Sequence, residues 1–176
     1  MTTLDITTAV RSTVRDLYDE YVALLDDGDF DAWLDLFCSD CSYLVVSAEN
    51  DRRGLPLATM RCDSQAMLAD RLSAIRNTQF FAPRSMRHFV GGVQILTMDT
   101  GAQPSAQSAD SAVALAVLTV RANFFVTETV DQEPTVMHMA GRYRDNVVIE
   151  AERARFRSKT AVYDAAIVPT SLIFPL

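Results

Sequence analysis

Long apolar runs are missing from this sequence: no stretch approaches the roughly 18–20 residues that a membrane-spanning helix requires. A surplus of positive charge is missing too. Lysine and arginine number 16 against 23 aspartates and glutamates, a formal net charge of −7, so the chain repels phosphate backbones and nucleic acid is not an expected partner. Met1 to Val10 lacks the basic segment and following apolar stretch of an export signal, and a cytoplasmic location is expected. Cysteine is scarce and odd in number (Cys38, Cys41, Cys62), which points to reduced thiols rather than a disulfide framework. With only His88 and His138, there is little material for a metal site.

What is present is an ordinary globular composition. Of 176 residues, 49% are hydrophobic and 22% charged, enough for one buried core and too short for two catalytic domains. The reading is a single domain over residues 1–176, ending in an extended tail from about residue 165.

Between Asp5 and Leu25, the residues Ile6, Val10, Val14, Leu17, Tyr21, Leu24 and Leu25 recur at spacings of three and four, the stripe of an amphipathic helix. Asp27-Gly28 breaks it. Asp29 then caps a second short helix whose Phe30, Trp33, Leu34 and Phe37 share a face. A third helix opens at Asp63 or Ser64, with Leu68, Leu72 and Ile75 in register, and fades at Asn77. The rest has strand character: Tyr43 to Ala48, then Arg84 to Met98 with a bulge or bend expected at Gly91-Gly92. From Ala112 to Val130 every even position up to Val126 is apolar, one face of a strand buried along its length. Asp131-Gln132-Glu133-Pro134 turns the chain into a strand from Thr135 to about Ile149, and a last strand runs from about Glu152 to Tyr163. Thr100 to Ala109 reads as a loop. Helices first and antiparallel strands after give an α+β domain in which helices cover one side of a strongly bent sheet, a cone with a cavity.

Cys38-Ser39-Asp40-Cys41 has the spacing of a redox or zinc pair, but a thioredoxin-type site needs a βαβ setting and a closed zinc site four ligands. Small buried hydrophobes are the ordinary alternative. No cysteine has a histidine two or three places on, so the spacing of a Rieske iron–sulfur cluster is missing. His88 and His138 could share a mononuclear iron only if their strands were neighbours with matched faces. A cone can also be an enzyme when its cavity holds a base and an orienting donor, and Tyr18, Asp40, Tyr43, Asp70 and His88 are the residues available for that. Arg153, Arg155, Arg157 and Lys159 occupy alternate positions and are expected to line one face of the last strand, either solvated or docking an acidic patch on another chain. Ile167, Val168, Leu172, Ile173, Phe174 and Leu176, broken by Pro169 and Pro175, form an apolar tail that must pack on its own domain or on a partner.

Several segments, taken in order, resemble a known family. They are Leu17-Tyr18, Leu24 to Phe30, Trp33, Phe37, Asn50 with Gly54-Leu55-Pro56-Leu57, Asp63-Ser64, Met67-Leu68, Asp70-Arg71, Ile75-Arg76, Arg87-His88, Ala122-Asn123-Phe124, Gly141-Arg142-Tyr143 and Val162-Tyr163-Asp164 with Ile167 and Pro169. Together they resemble the small (β) subunit of bacterial aromatic-ring-hydroxylating dioxygenases, from about Leu17 to Leu176. The resemblance implies a cone of the nuclear-transport-factor-2 or scytalone-dehydratase type. It implies an α3β3 assembly with β–β trimer contacts, whose large (α) subunit carries the Rieske [2Fe-2S] cluster, the mononuclear Fe(II) and the substrate pocket. Electrons from NAD(P)H would arrive through reductase and ferredoxin components. This chain would then hold no cofactor and no catalytic residue. Its Asn50 to Leu57 segment and Pro-Leu ending look closer to subunits of enzymes acting on aromatic carboxylates such as salicylate, terephthalate or halobenzoates. Thr100 to Ser111 matches nothing in the family.

On this reading the subunit interface is expected at Arg87, His88, the arginine face of Arg153, Arg155 and Arg157, and the tail residues Ile173, Phe174 and Leu176. The rival readings are a stand-alone cone-fold isomerase or dehydratase with a Tyr/Asp/His cavity, and a small-ligand binding domain.

Overall fold

In the computed structural model, residues 6–77, 80–100, 116–168 and 172–176 are described. Helix α1 (Thr8–Asp27) starts where the Thr7 side chain accepts a hydrogen bond from the Val10 amide, and it ends at Gly28, whose φ of 72° is the left-handed turn that glycine adopts without a Cβ penalty. Its apolar stripe buries Val14, Leu17, Tyr18, Tyr21 and Leu25. Asp29 caps α2 (Phe30–Leu34), through which Phe30 and Trp33 enter the core. Helix α4 (Gln65–Asn77) buries Leu68, Leu72 and Ile75, the three residues its periodicity singles out.

Six strands form one sheet in the order β2-β1-β6-β5-β4-β3: β1 (Phe37–Ser47), β2 (Met60–Cys62), β3 (Arg84–Thr100), β4 (Ala116–Val130), β5 (Val136–Glu150) and β6 (Arg153–Tyr163). All pairs are antiparallel except β1 with β6. Register shifts interrupt the ladders, one of them between Gly91 and Gln94 as the Gly-Gly pair implies, and such bulges bend a strand and raise its twist. Along β4 the even positions Leu118, Val120, Ala122, Phe124 and Val126 are buried, and the alternation runs on to a charged residue, Glu128. The inward faces of β4, β5 and β6, with α1 laid across them, enclose the core.

Several expectations need correction. Phe37 belongs to β1 rather than to the second helix, and β1 is almost twice the length read from its valines. The five-residue helix α3 (Ala48–Arg52) and the three-residue β2 were not foreseen, being too short to show a period. Lys159 does not share an exposed face with Arg153, Arg155 and Arg157. A register shift between Asn146 and Val147 leaves Arg157 unpaired, so the inward positions change from Ala154 and Phe156 to Lys159, Ala161 and Tyr163. The loop from residue 101 and the start of the Ala112 strand lie outside the described residues.

Candidate functional site

Where a cone-fold enzyme would keep its pocket, this chain places a layer of buried aromatic and charged side chains. Tyr18 and Tyr21, one turn apart on α1, meet Tyr43 from β1, Tyr143 and Asp145 from β5, and Phe156 and Lys159 from β6; none is more than 2% exposed. The Lys159 ammonium lies 3.0 Å from Asp145 and sits over four rings, at 3.5 Å from the centroid of Tyr143, 4.3 Å from Tyr21, 4.5 Å from Phe156 and 4.8 Å from Tyr18. The Asp145 carboxylate also accepts from the Tyr18 hydroxyl at 2.5 Å and from the Thr160 amide at 3.2 Å. Burial pulls Lys159 down to about 8 and pushes Asp145 up from the ordinary carboxylate range, while the attraction between the two opposes both shifts. The hydroxyls of Tyr18, Tyr21, Tyr43 and Tyr143 are all raised, first by burial.

The chain's own tail completes this layer. The Leu176 carbonyl oxygen accepts from Tyr21 at 2.5 Å and from Tyr43 at 3.0 Å, and the Leu176 amide donates back to the Tyr43 hydroxyl at 2.8 Å. Arg71 of α4 donates to the carbonyls of Leu172 and Ile173, and Phe174 packs between the rings of Phe30 and Phe81.

Both histidines are engaged beside this core. His88 Nδ1 lies 2.7 Å from Asp26 Oδ1, and its Nε2 3.3 Å from the Pro175 carbonyl. His138 faces Glu128 at 3.3 Å, and Glu128 also holds Arg84 at 2.7 Å. Burial lowers the His138 pKa, with Glu128 opposing. The candidate acid–base residues are therefore not assembled: Tyr18 and Tyr43 are committed to Asp145 and Leu176, His88 lies with Asp26, and Asp70 is exposed on α4. Asp145 escaped sequence reasoning, although it lies between the inward positions Tyr143 and Val147, a signal that it is buried, and Lys159 was expected on the outward cation face rather than here.

On the opposite, outer face of the sheet lies a cavity of about 700 Å³ lined by Gln94, Thr119, Arg121, Asn123, Arg142 and Arg144 together with Gly92, Leu96, Val120 and Ala122. Arg121 and Arg144 stand directly across the β4–β5 ladder from one another. Arg121 donates twice to Gln94, at 2.8 and 2.6 Å, and Arg144 pairs with Asp51 of α3.

Residues 7–160 match the SnoaL-like domain. The chain is 28% identical over 160 residues to the anthranilate 1,2-dioxygenase small subunit of Burkholderia cepacia, covering 91% of this chain and 90% of the relative. It is 28% identical over 156 residues to subunit beta 2 of the terephthalate 1,2-dioxygenase terminal oxygenase component of Comamonas sp., covering 89% and 92%. A crystal structure described as the β subunit of an aromatic-ring-hydroxylating dioxygenase from Novosphingobium aromaticivorans superposes with a TM-score of 0.78 at 30% identity, covering 98% of this chain and all of that one. This chain belongs to the SnoaL-like family, among the β subunits of aromatic-ring-hydroxylating dioxygenases.

As a β subunit it is a component of an oxygenase. Among the described residues no group of three or more His, Cys, Asp and Glu could hold a metal ion. Cys41, on the inward face of β1, is pushed up to about 12 by burial, away from the thiolate that a metal requires. Of the residues expected at the β subunit's interface, Arg87 and Arg153 are exposed, and Arg155, Arg157, Ile173 and Phe174 are half-buried. His88 and Leu176 are buried within the chain itself.

Proposed function

We propose that this chain is a non-catalytic β subunit that supports a larger oxygenase subunit in an α3β3 assembly in the cytoplasm, the whole of residues 1–176 acting as one domain. The partner would carry the Rieske [2Fe-2S] cluster, the mononuclear Fe(II) and the substrate pocket, with ferredoxin and reductase components supplying electrons. The observation that carries this reading is the filled cone. The volume a substrate needs is taken by Lys159, four tyrosines and Leu176, each hydrogen-bonded or ring-packed inside the chain except for the Tyr143 hydroxyl, which is without a hydrogen-bond partner among the described residues. A buried polar layer satisfied in this way gives a rigid scaffold rather than a reaction site.

The substrate class we infer is an aromatic carboxylate, because the two curated relatives are named for anthranilate and terephthalate, each a benzene ring bearing carboxylate. Tyr18→Phe and His88→Asn test the non-catalytic role. In the reconstituted oxygenase both variants are expected to keep ring-hydroxylation per assembled hexamer within about twofold of the parent. A loss of a hundredfold or more at intact assembly, the size of a missing general acid or base, would overturn it.

A further inference from the structure

The Gly91-Gly92 pair that bends β3 also opens the outer face of the sheet. Gly91 stands opposite Asn123 in the β3–β4 ladder, a Cβ built on it would meet open space, and Gly92 has a φ of 64°. Across from Asn123, then, β3 offers no side chain, and a glycine inside a strand is a common mark of a ligand's close approach. The hollow that results is the outer-face cavity of about 700 Å³. That volume is within the usual span of small-molecule sites, roughly 300–1,000 Å³.

Two adjacent cross-strand pairs floor this cavity, Asn123 opposite Arg142 and Arg121 opposite Arg144. Members of a pair stand about 5 Å apart, and the pairs lie about 7 Å apart along the strands. Like charges placed as Arg121 and Arg144 are repel one another, a cost that the fold leaves standing. Gln94 accepts two hydrogen bonds from Arg121, at 2.8 and 2.6 Å, and being neutral it orients the guanidinium without cancelling its charge. Arg144 is compensated by Asp51. Arg142 and Asn123 have no ion pair or side-chain hydrogen bond among the described residues. No acidic side chain among the described residues lines the cavity, which leaves two uncompensated cations there, Arg121 and Arg142.

We propose that this cavity binds a small organic dicarboxylate, with one carboxylate on Arg142 and Asn123, the other on Arg121, and the hydrocarbon body beside Gly92 and Leu96. Two cations call for two negative charges on the ligand. The step of about 7 Å between the pairs puts those charges on separate carboxylates, since the oxygens of one phosphate or sulfate lie far closer together. Planar guanidinium forks match carboxylates bidentately, and the hold of Gln94 on Arg121 reduces the freedom lost on binding. The site is a property of this chain and goes beyond its reading as a subunit.

Isothermal titration calorimetry on the full-length chain, held at about 0.15 M ionic strength, takes isophthalate, adipate, benzoate and inorganic phosphate as probes. Isophthalate and adipate are expected to bind with dissociation constants below about 1 mM, and to raise the melting temperature as ligands of the folded chain do. Either one binding supports the proposal, and the tighter of the two identifies the body as aromatic or aliphatic. Benzoate, with one carboxylate, and phosphate, with its charge in one place, are expected to bind at least about tenfold more weakly. Arg121→Gln/Arg142→Gln alters exposed side chains only. It is expected to keep the parent's circular dichroism while weakening both dicarboxylates at least about 100-fold. Asp51→Asn releases Arg144 to join the site and is expected to tighten them about tenfold, a gain that a damaged fold would not give. Neither dicarboxylate binding, benzoate or phosphate matching them, a double arginine variant with the parent's affinity, or an Asp51→Asn variant that binds no tighter would each overturn the proposal.

Discussion

Lys159 and Asp145 meet at 3.0 Å with neither side chain exposed to solvent. An ion pair so placed has lost its hydration on both sides, so its members depend on one another more than the fold depends on the pair. Lys159→Met leaves Asp145 among Tyr18, Thr160 and apolar rings without its counter-charge, and is expected to cost about 3–5 kcal/mol. Lys159→Met combined with Asp145→Asn should cost clearly less than the sum of the two single changes. A double-mutant cycle by urea unfolding measures the coupling, and additive costs would show that the pair does not act as one.

The tail clasp gives a second expectation. Tyr21→Phe removes one of the two hydroxyls on the Leu176 carbonyl and should cost about 1 kcal/mol, while Leu176→Ala empties a fully buried site and should cost about 2–5 kcal/mol. Thermal unfolding of both variants checks the order. Equal, negligible losses would mean that the tail does not close the core.

Gly141 is required by close approach. A Cβ at that position would stand 2.1 Å from the Val162 carbonyl oxygen and 2.8 Å from the Tyr163 Cα, both of them backbone atoms of the neighbouring β6. Gly141→Ala is expected to yield no soluble protein, or to destabilise by more than about 4 kcal/mol.

His138 sets a pH dependence. Its pKa is lowered in the fold, chiefly by burial, so below about pH 6.5 the unfolded chain takes up a proton that the folded chain refuses. The charged form is thus penalised by folding, and stability falls as pH drops through the window between the unfolded value and the depressed folded one. His138→Gln should remove a slope of up to about 1.4 kcal/mol per pH unit. Melting temperatures of parent and variant from pH 7 to pH 5 give the comparison, and parallel curves would refute it.

Much of the architecture was legible because it follows from period. The α1 and α4 stripes and the even positions of β4 are the faces that the structure buries. What was not legible depended on single residues or distant pairing. One unpaired residue, Arg157, reverses the facing of β6 and carries Lys159 into the core, and alternation read along the strand alone contains no sign of it. The arginine groove is assembled from β3, β4 and β5, and the opposition of Arg121 to Arg144 exists only once the register is known. Family resemblance, in contrast, was carried by short segments spread along the chain, and it pointed to the subunit role before any site was placed.

The most direct test of the central claim is the intact mass and metal content of the tagged chain isolated gently from its native host. The account predicts a hexamer with equal numbers of this chain and a larger, iron-containing chain, and no iron in this chain once the two are separated. A colourless assembly of this chain alone that turns over a substrate without a partner would contradict it.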